Sequence, residues 1–375
     1  MDIQETLYTI ALTRLNYFSL AGLTELYRRL GSATAVMEHR RDIRDVLPDA
    51  SDRLVEALQH MDEPLRRAEA ELEYDAEQGI LPLAMNDERY PSRLRDCPDA
   101  PLMLFYKGTA ALNQRRVVCI VGTRHITTYG QDMVRRFIGD LRTLCPQVLV
   151  VSGLAYGVDI CAHRHALQND YETVAVLAHG LDTLYPPRHR QTADEMLHRG
   201  GLLTEFLTHT NADKMNFVRR NRIVAGISDA CILVESAARG GGLITCGIAR
   251  DYHRDVFAFP GAVGAPYSEG CNHLIRDHGA SLLTSASDFV QAMGWESDAQ
   301  LAQTQKAGIE RQLFPSLTDE ERQVTAVLDR MGDVQISTLA VQTSLPVPRL
   351  TALLFSLEMK GVVRALAGGT YHLLK

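Results

Sequence analysis

The chain has 375 residues, 46% of them hydrophobic and 23% charged, with a formal net charge of -7. That length supports two or three domains with real cores. The composition is ordinary for a soluble globular protein, and no apolar run approaches the ~20 residues of a membrane span.

The start, MDIQETLYTI, lacks a basic stretch followed by an apolar block, so no signal peptide is expected. Seven scattered cysteines without a CxxC pair read as reduced thiols in a cytoplasmic protein. Residues 1–80 carry 9 Lys/Arg against 16 Asp/Glu, whereas residues 81–295 carry 22 against 21. The acidity therefore belongs to the N-terminal segment, and the middle of the chain can support a local positive face.

Apolar residues recur at helical spacing in LTELYRRLGSATAVM and VLPDASDRLVEALQHM, which predicts a helical domain over residues 1–80. Leu81 to Gly108, with prolines at 82, 91, 98 and 101, reads as an extended connector. From Val117 onward short apolar runs alternate with helical patterns. VVCIVG, VLVVSG, TVAVLAHG, LLTEF, ACILVES, VFAFPG and SLLT read as strands, with helices near 130–144, 158–169, 188–199, 216–227, 243–253 and 271–278. Such alternation predicts an α/β fold, a Rossmann-like parallel-sheet central domain over residues 81–294. A polar linker over 295–315 leads to residues 316–375. There, helices at 319–331, 336–342 and 347–360 precede two short strands joined through Ala-Gly-Gly, the order of a winged helix.

Glycines end several strands, at Gly122, Gly153, Gly180 and Gly261, where ligands bind in open α/β sheets. Arg124 follows Gly122 and offers a forked, permanently charged donor suited to phosphate. AHGLDTLYPPRHR delivers Arg188 and Arg190 to the same sheet edge. In ESAARGGGLITCGIA the glycines 240, 241 and 242 precede a helix whose first turn carries Thr245, so bare backbone amides form an anion cradle. This is neither a Walker A loop nor GxGxxG, and neither ATP hydrolysis nor a nicotinamide cofactor is expected.

The densest cationic patch is KMNFVRRNRIVAG, with Lys214, Arg219, Arg220, Asn221 and Arg222. Arginines near a helix start oppose the helix dipole by roughly 0.3–1 kcal/mol each, which an anion site would justify. Asn221 and one arginine are expected to brace the helix, others to face a ligand, and some arginines to pair with Glu205 or Glu235. Ser152, Asp159 and His163 raise a hydrolase triad, but no GxSxG elbow accompanies them. Cys161, His163 and His165 offer too few ligands for structural zinc, so no metal is expected.

Together these segments resemble the DNA-processing protein A family (DprA/Smf). The family's FPxRNRIIAGLS, GLDxxYP, SGLAxGID, SGSLIT, VFAVPG and GxNxLI stand here as FVRRNRIVAGIS, GLDTLYP, SGLAYGVD, GGGLIT, VFAFPG and GCNHLI. Val218 replaces the usual proline, Gly240 and Gly242 replace serines, and His179 stands where cysteine is common.

The resemblance implies a sterile-alpha-motif-like (SAM-like) N-terminal domain. It also implies a non-enzymatic, cofactor-free homodimer that binds single-stranded DNA and loads a RecA-type recombinase on incoming DNA in natural transformation. The DNA-binding candidates are Gly122, Arg124, Arg188, Arg190, Lys214, Arg219, Arg220, Asn221, Arg222, Gly240, Gly241, Gly242 and Thr245.

Two alternatives carry other chemistry. A Rossmann-like nucleotide phosphoribohydrolase would need PGGxGT, which is absent from the chain. A winged-helix DNA-binding regulator would need a cationic third helix. PVPRLTALLFSLEMKG instead leaves only Arg349, Thr351, Ser356 and Lys360 outward, in a tail with six basic and six acidic residues.

Overall fold

The computed structural model describes residues 2–15, 20–295, 317–332, 334–360, 362–366 and 370–374. The chain divides into two compact units, Met1–Asp298 and Ala299–Lys375.

Among the described residues of the first unit, six helices precede the first strand: α1 (Ile3–Thr13), α2 (Leu20–Leu30), α3 (Ala33–Glu38), α4 (Ile43–Val46), α5 (Asp52–Gln59) and α6 (Asp62–Gln78). Side-chain oxygens of Asp2, Ser32 and Ser51 cap α1, α3 and α5 by accepting first-turn N–H groups. Then come β1 (Leu81–Ala84), α7 (Ser92–Arg95), β2 (Met103–Gly108), β3 (Val117–Val121), α8 (Thr128–Leu144), β4 (Leu149–Ser152) and α9 (Val158–Gln168). They are followed by β5 (Thr173–Val176), α10 (Arg190–His198), β6 (Gly200–Thr204), α11 (Lys214–Gly226), β7 (Ala230–Leu233) and α12 (Gly241–Asp251). The unit closes with β8 (Asp255–Ala258), α13 (Glu269–Arg276), β9 (Ser281–Leu282) and α14 (Ala286–Ala292).

The sheet order is β1-β2-β6-β5-β4-β3-β7-β8-β9. From β6 to β9 all neighbours are parallel, while β2 joins β6 and β1 joins β2 antiparallel. The segment 81–108, expected as a connector, thus extends the sheet. Pro82 is accommodated because β1 is the edge strand, where a missing N–H breaks no ladder.

Strand side chains alternate between two cores. Along β3, Val117, Cys119 and Val121 pack on one face, and Val118 and Ile120 on the other with Phe137, Ile138 and Phe289. The first of these cores also holds Ile10, Leu12, Leu26, Met37 and Leu58, so the N-terminal helices and the sheet share one interior. Side chains stitch the two together. The Thr24 hydroxyl donates to the Ala100 carbonyl at 2.7 Å, and Glu71 accepts from both the N–H (2.8 Å) and hydroxyl (2.6 Å) of Thr208.

In the second unit, helices Asp319–Met331, Ile336–Thr343 and Val347–Met359 pack with a sheet of order β10 (Val334–Gln335), β12 (Thr370–Leu373), β11 (Val363–Leu366) around Leu328, Leu339, Leu350, Leu354 and Leu357. The linker 296–315 and the Ala-Gly-Gly turn at 367–369 lie outside the described residues. On the third helix the expected cations are already paired with acids. Lys360 and Ser356 both donate to Glu321, and Arg349 to Glu320. Arg349, Thr351 and Lys360 are exposed as expected, Ser356 is half-buried, and Val347, Phe355 and Met359 are exposed beside them. Among the described residues no helix is long and apolar enough to cross a membrane.

Candidate nucleic-acid interface

In the sheet order, β4, β5 and β6 lie on one side of β3 and β7, β8 and β9 on the other, so β3 and β7 flank the topological switch point. Connections leaving their carboxyl ends diverge and open a crevice there. A cleft of about 740 Å³ occupies that place.

The floor depends on two glycines. A Cβ on Gly122 would stand 2.6 Å from Val158 Cγ2 and 2.8 Å from the Glu235 carbonyl. One on Gly242 would stand 2.7 Å from Leu233 Cδ1 and 3.1 Å from the Gly122 Cα. The loop after β3 and the start of α12 approach this closely because neither position carries a side chain. Gly240 precedes α12 without any side-chain cap, so its uncapped first turn opens on the cleft, together with Gly241 and Thr245. The Thr245 hydroxyl is buried and donates to the Gly241 carbonyl at 3.3 Å. Glu235 is occupied elsewhere: its carboxylate accepts from the N–H (2.8 Å) and hydroxyl (2.6 Å) of Thr127, the cap of α8.

One wall is α11, whose start is capped by Asp213 accepting from the Asn216 N–H at 2.8 Å. That acid offsets part of the repulsion between the helix dipole and the cations behind it. Lys214, Phe217, Arg220, Asn221 and Val224 follow at helical spacing and all line the cleft. Arg220 is 4% exposed and donates to the Gly153 carbonyl at 2.8 Å and to the Val176 carbonyl. Asp159 accepts from the N–H groups of Gly153 (3.2 Å) and Ala155 (3.3 Å), holding the loop after β4 beneath that guanidinium. Burial lowers the Arg220 pKa to about 10, against the pull of Asp159, so it stays charged at neutral pH. Burial raises the Asp159 carboxyl, with Arg220 opposing. Arg124 lies 5.0 Å over the Phe217 ring, which Arg220 approaches at 5.8 Å.

The model of the family described as DNA recombination-mediator protein A matches residues 82–294, more than half of the chain. The chain belongs to this family.

A second model, the DprA winged helix domain, matches residues 310–369. Protein Smf of Escherichia coli (strain K12) is 34% identical over 77% of this chain and 76% of its own length. DNA processing protein DprA of Streptococcus pneumoniae is 40% identical over 54% of this chain and 71% of its own. The X-ray structure of the Streptococcus pneumoniae protein superposes with a TM-score of 0.64 at 33% identity, covering 75% of this chain and 95% of that one. The Helicobacter pylori DNA processing protein A, whose structure concerns its single-stranded DNA binding mode, gives 0.52 at 26% identity, covering 57% of this chain and 95% of that one.

In this member of the family the cleft brings together Gly122, Arg124, Lys214, Arg220, Asn221, Gly240, Gly241, Gly242 and Thr245. Four expected residues lie outside its lining. Arg219 and Arg222, three apart on α11, both turn to Glu205 at the end of β6, each at 2.7 Å. Arg222 has a side chain only 5% exposed and braces the helix rather than a ligand. Arg188 and Arg190 are exposed, but they follow β5, which lies two strands from β3.

The sequence reading passed over Arg239, His125 and Tyr267, which also line the cleft. Arg239 was legible in principle, as a cation directly before the glycines. Tyr267 sits in an aperiodic loop and had no signal.

Ser152 and His163 are bonded to other groups rather than to each other. Ser152 donates to the Ile120 carbonyl at 2.6 Å, and His163 Nδ1 pairs with the Thr173 hydroxyl at 2.7 Å. Burial pushes His163 down to about 3, so it is neutral. Among the described residues no group of three or more His, Cys, Asp or Glu is placed to hold a metal.

Proposed function

We propose that the protein binds single-stranded DNA along this cleft through its phosphates, and loads a RecA-type recombinase onto incoming DNA in natural transformation. The observation that carries the reading is the convergence of Arg124, Lys214 and Arg239, with buried Arg220 beneath, on the uncapped start of α12 at the switch point. Exposed cations suit a phosphate backbone, and the buried one adds fixed charge that solvent screens little.

The names of the relatives, DNA processing protein and DNA recombination-mediator protein, and the single-stranded DNA binding mode of the Helicobacter pylori protein support the same assignment. Recombinase loading, homodimerisation and the absence of turnover are part of this proposal, which the family resemblance suggests. The separate hydrogen bonds of Ser152 and His163, and the lack of PGGxGT, favour a non-enzymatic role.

Fluorescence anisotropy with single- and double-stranded oligonucleotides at two salt concentrations tests the binding reading. A preference for single strands that weakens with salt is expected; equal affinity for duplex, or indifference to salt, would overturn it. Recombinase filament assembly on protein-coated single strands tests the loading step.

A further inference from the structure

A second hollow, of about 490 Å³, adjoins the cleft. Thr127, Tyr129, Pro260, Pro266, Tyr267 and Ser268 contribute to its lining, and Tyr267 borders the cationic cleft as well. The Tyr267 ring is stacked against His125, with centroids 6.2 Å apart and planes inclined by 28°. Its carbonyl accepts from the Ser236 N–H at 2.7 Å, which fixes its loop to the end of β7.

The chemistry of the hollow differs from that of the cleft. No Lys or Arg lines it, and its one charged residue is Glu235. That carboxylate is already taken up by Thr127. Asn272 holds the N–H (3.1 Å) and the carbonyl (3.0 Å) of Gly261, and the Tyr129 hydroxyl donates to the Pro260 carbonyl. With these polar groups committed, mainly tyrosine and proline surfaces remain for a ligand. A phosphate has no cation to meet there, whereas a planar, uncharged ring does find a face. In the sheet order β8 follows β7, so the hollow lies one strand further along the same carboxyl edge as the cleft.

We infer that the hollow accepts nucleobases of a DNA single strand whose phosphates run in the cleft, with Tyr267 as the stacking platform at the boundary. This rests on the cleft reading above. A stacking face makes the subsite tolerant of base identity, because every base has a π-face. A duplex keeps its bases paired inward and has none to offer, so the subsite also favours single strands.

Anisotropy with oligo-dT and an abasic strand of equal length separates the two sites. Wild type is expected to bind oligo-dT more tightly than the abasic strand. Tyr267→Ala should lose roughly tenfold on oligo-dT and nothing on the abasic strand. Tyr267→Phe should restore the preference, since it keeps the ring. Lys214→Ala should weaken both strands alike. A wild type that binds the two strands equally, or a Tyr267→Ala variant that loses equally on both or on neither, overturns the base subsite. If Lys214→Ala weakens neither strand, the cleft reading itself falls, and the subsite with it.

Discussion

Arg222 and Glu205 meet at 2.7 Å with side chains only 5% and 2% exposed. Arg219 reaches the same carboxylate oxygen from the solvent side, with 42% of its side chain exposed. Removing Arg222 leaves a sealed acid with one half-exposed partner, and breaking a buried pair costs several kcal/mol. Arg222→Ala is expected to lower stability by about 3 kcal/mol, and Arg219→Ala by no more than ~1 kcal/mol. Urea unfolding of the two variants checks the order; the reverse ranking would mean that this pair does not anchor α11.

Arg124 and Lys214 are exposed at the cleft mouth. Replacing either with alanine should weaken single-strand binding and flatten the log–log salt dependence by about 0.7 per lost phosphate contact. Stability should move by less than ~0.5 kcal/mol. Titrations at several salt concentrations read the slope. An unchanged slope for both variants would place the phosphates elsewhere.

Neighbouring glycines should respond in opposite ways. A Cβ on Gly241 meets nothing within 4 Å, whereas one on Gly242 meets Leu233 Cδ1 at 2.7 Å. Gly241→Ala is therefore expected to fold normally, and Gly242→Ala to lose about 1–3 kcal/mol by forcing α12 away from the loop after β3. Thermal melts of both distinguish this from a uniform effect of glycine replacement.

Asp75 on α6 is 2% exposed, and neither carboxylate oxygen has a hydrogen-bond partner among the described residues. Burial foremost, then the charge of Glu71, raises its pKa from 3.8 to about 8. The folded state thus keeps a proton that the unfolded chain loses near pH 3.8. Stability from this group is full below that pH and declines as pH rises to about 8. Asp75→Asn should remove the decline, so its advantage over wild type should grow from pH 5 to pH 8 in urea titrations. A constant difference would show that Asp75 ionises normally.

The outward face of helix Val347–Met359 exposes Val347, Phe355 and Met359, and Arg349 and Lys360 beside it are engaged with Glu320 and Glu321. A chain ending near Gly294 is expected to keep most of its single-strand affinity. A folded truncation that fails to bind would make the winged helix the DNA reader.

Much of the α/β unit was legible because β3, β4, β5 and β7 are buried along their whole length, so they appear as unbroken apolar runs. β1 and β2 were not, because prolines flank or interrupt them and an edge strand tolerates what a central one forbids. Helical periodicity marked the apolar faces of α2, α3 and α5 without revealing that the helices share an interior with the sheet. In the cationic patch the charge was plain but its direction was not. Position along α11 decides that Arg220 meets the cleft while Arg219 and Arg222 meet Glu205, and that acid lies 14 residues from the nearer of them.

The interior shared by the N-terminal helices and the sheet bears on how the chain is made. Glu71 and Thr208, which close one seam of that interior, are 137 residues apart. At ribosomal speeds of about 5–20 residues per second, Glu71 waits on the order of ten seconds for Thr208. During that interval the Glu71 carboxylate, buried in the folded chain, lacks the N–H and hydroxyl that donate to it. The nascent helical segment thus gains its full set of native partners only as the loop between β6 and α11 emerges.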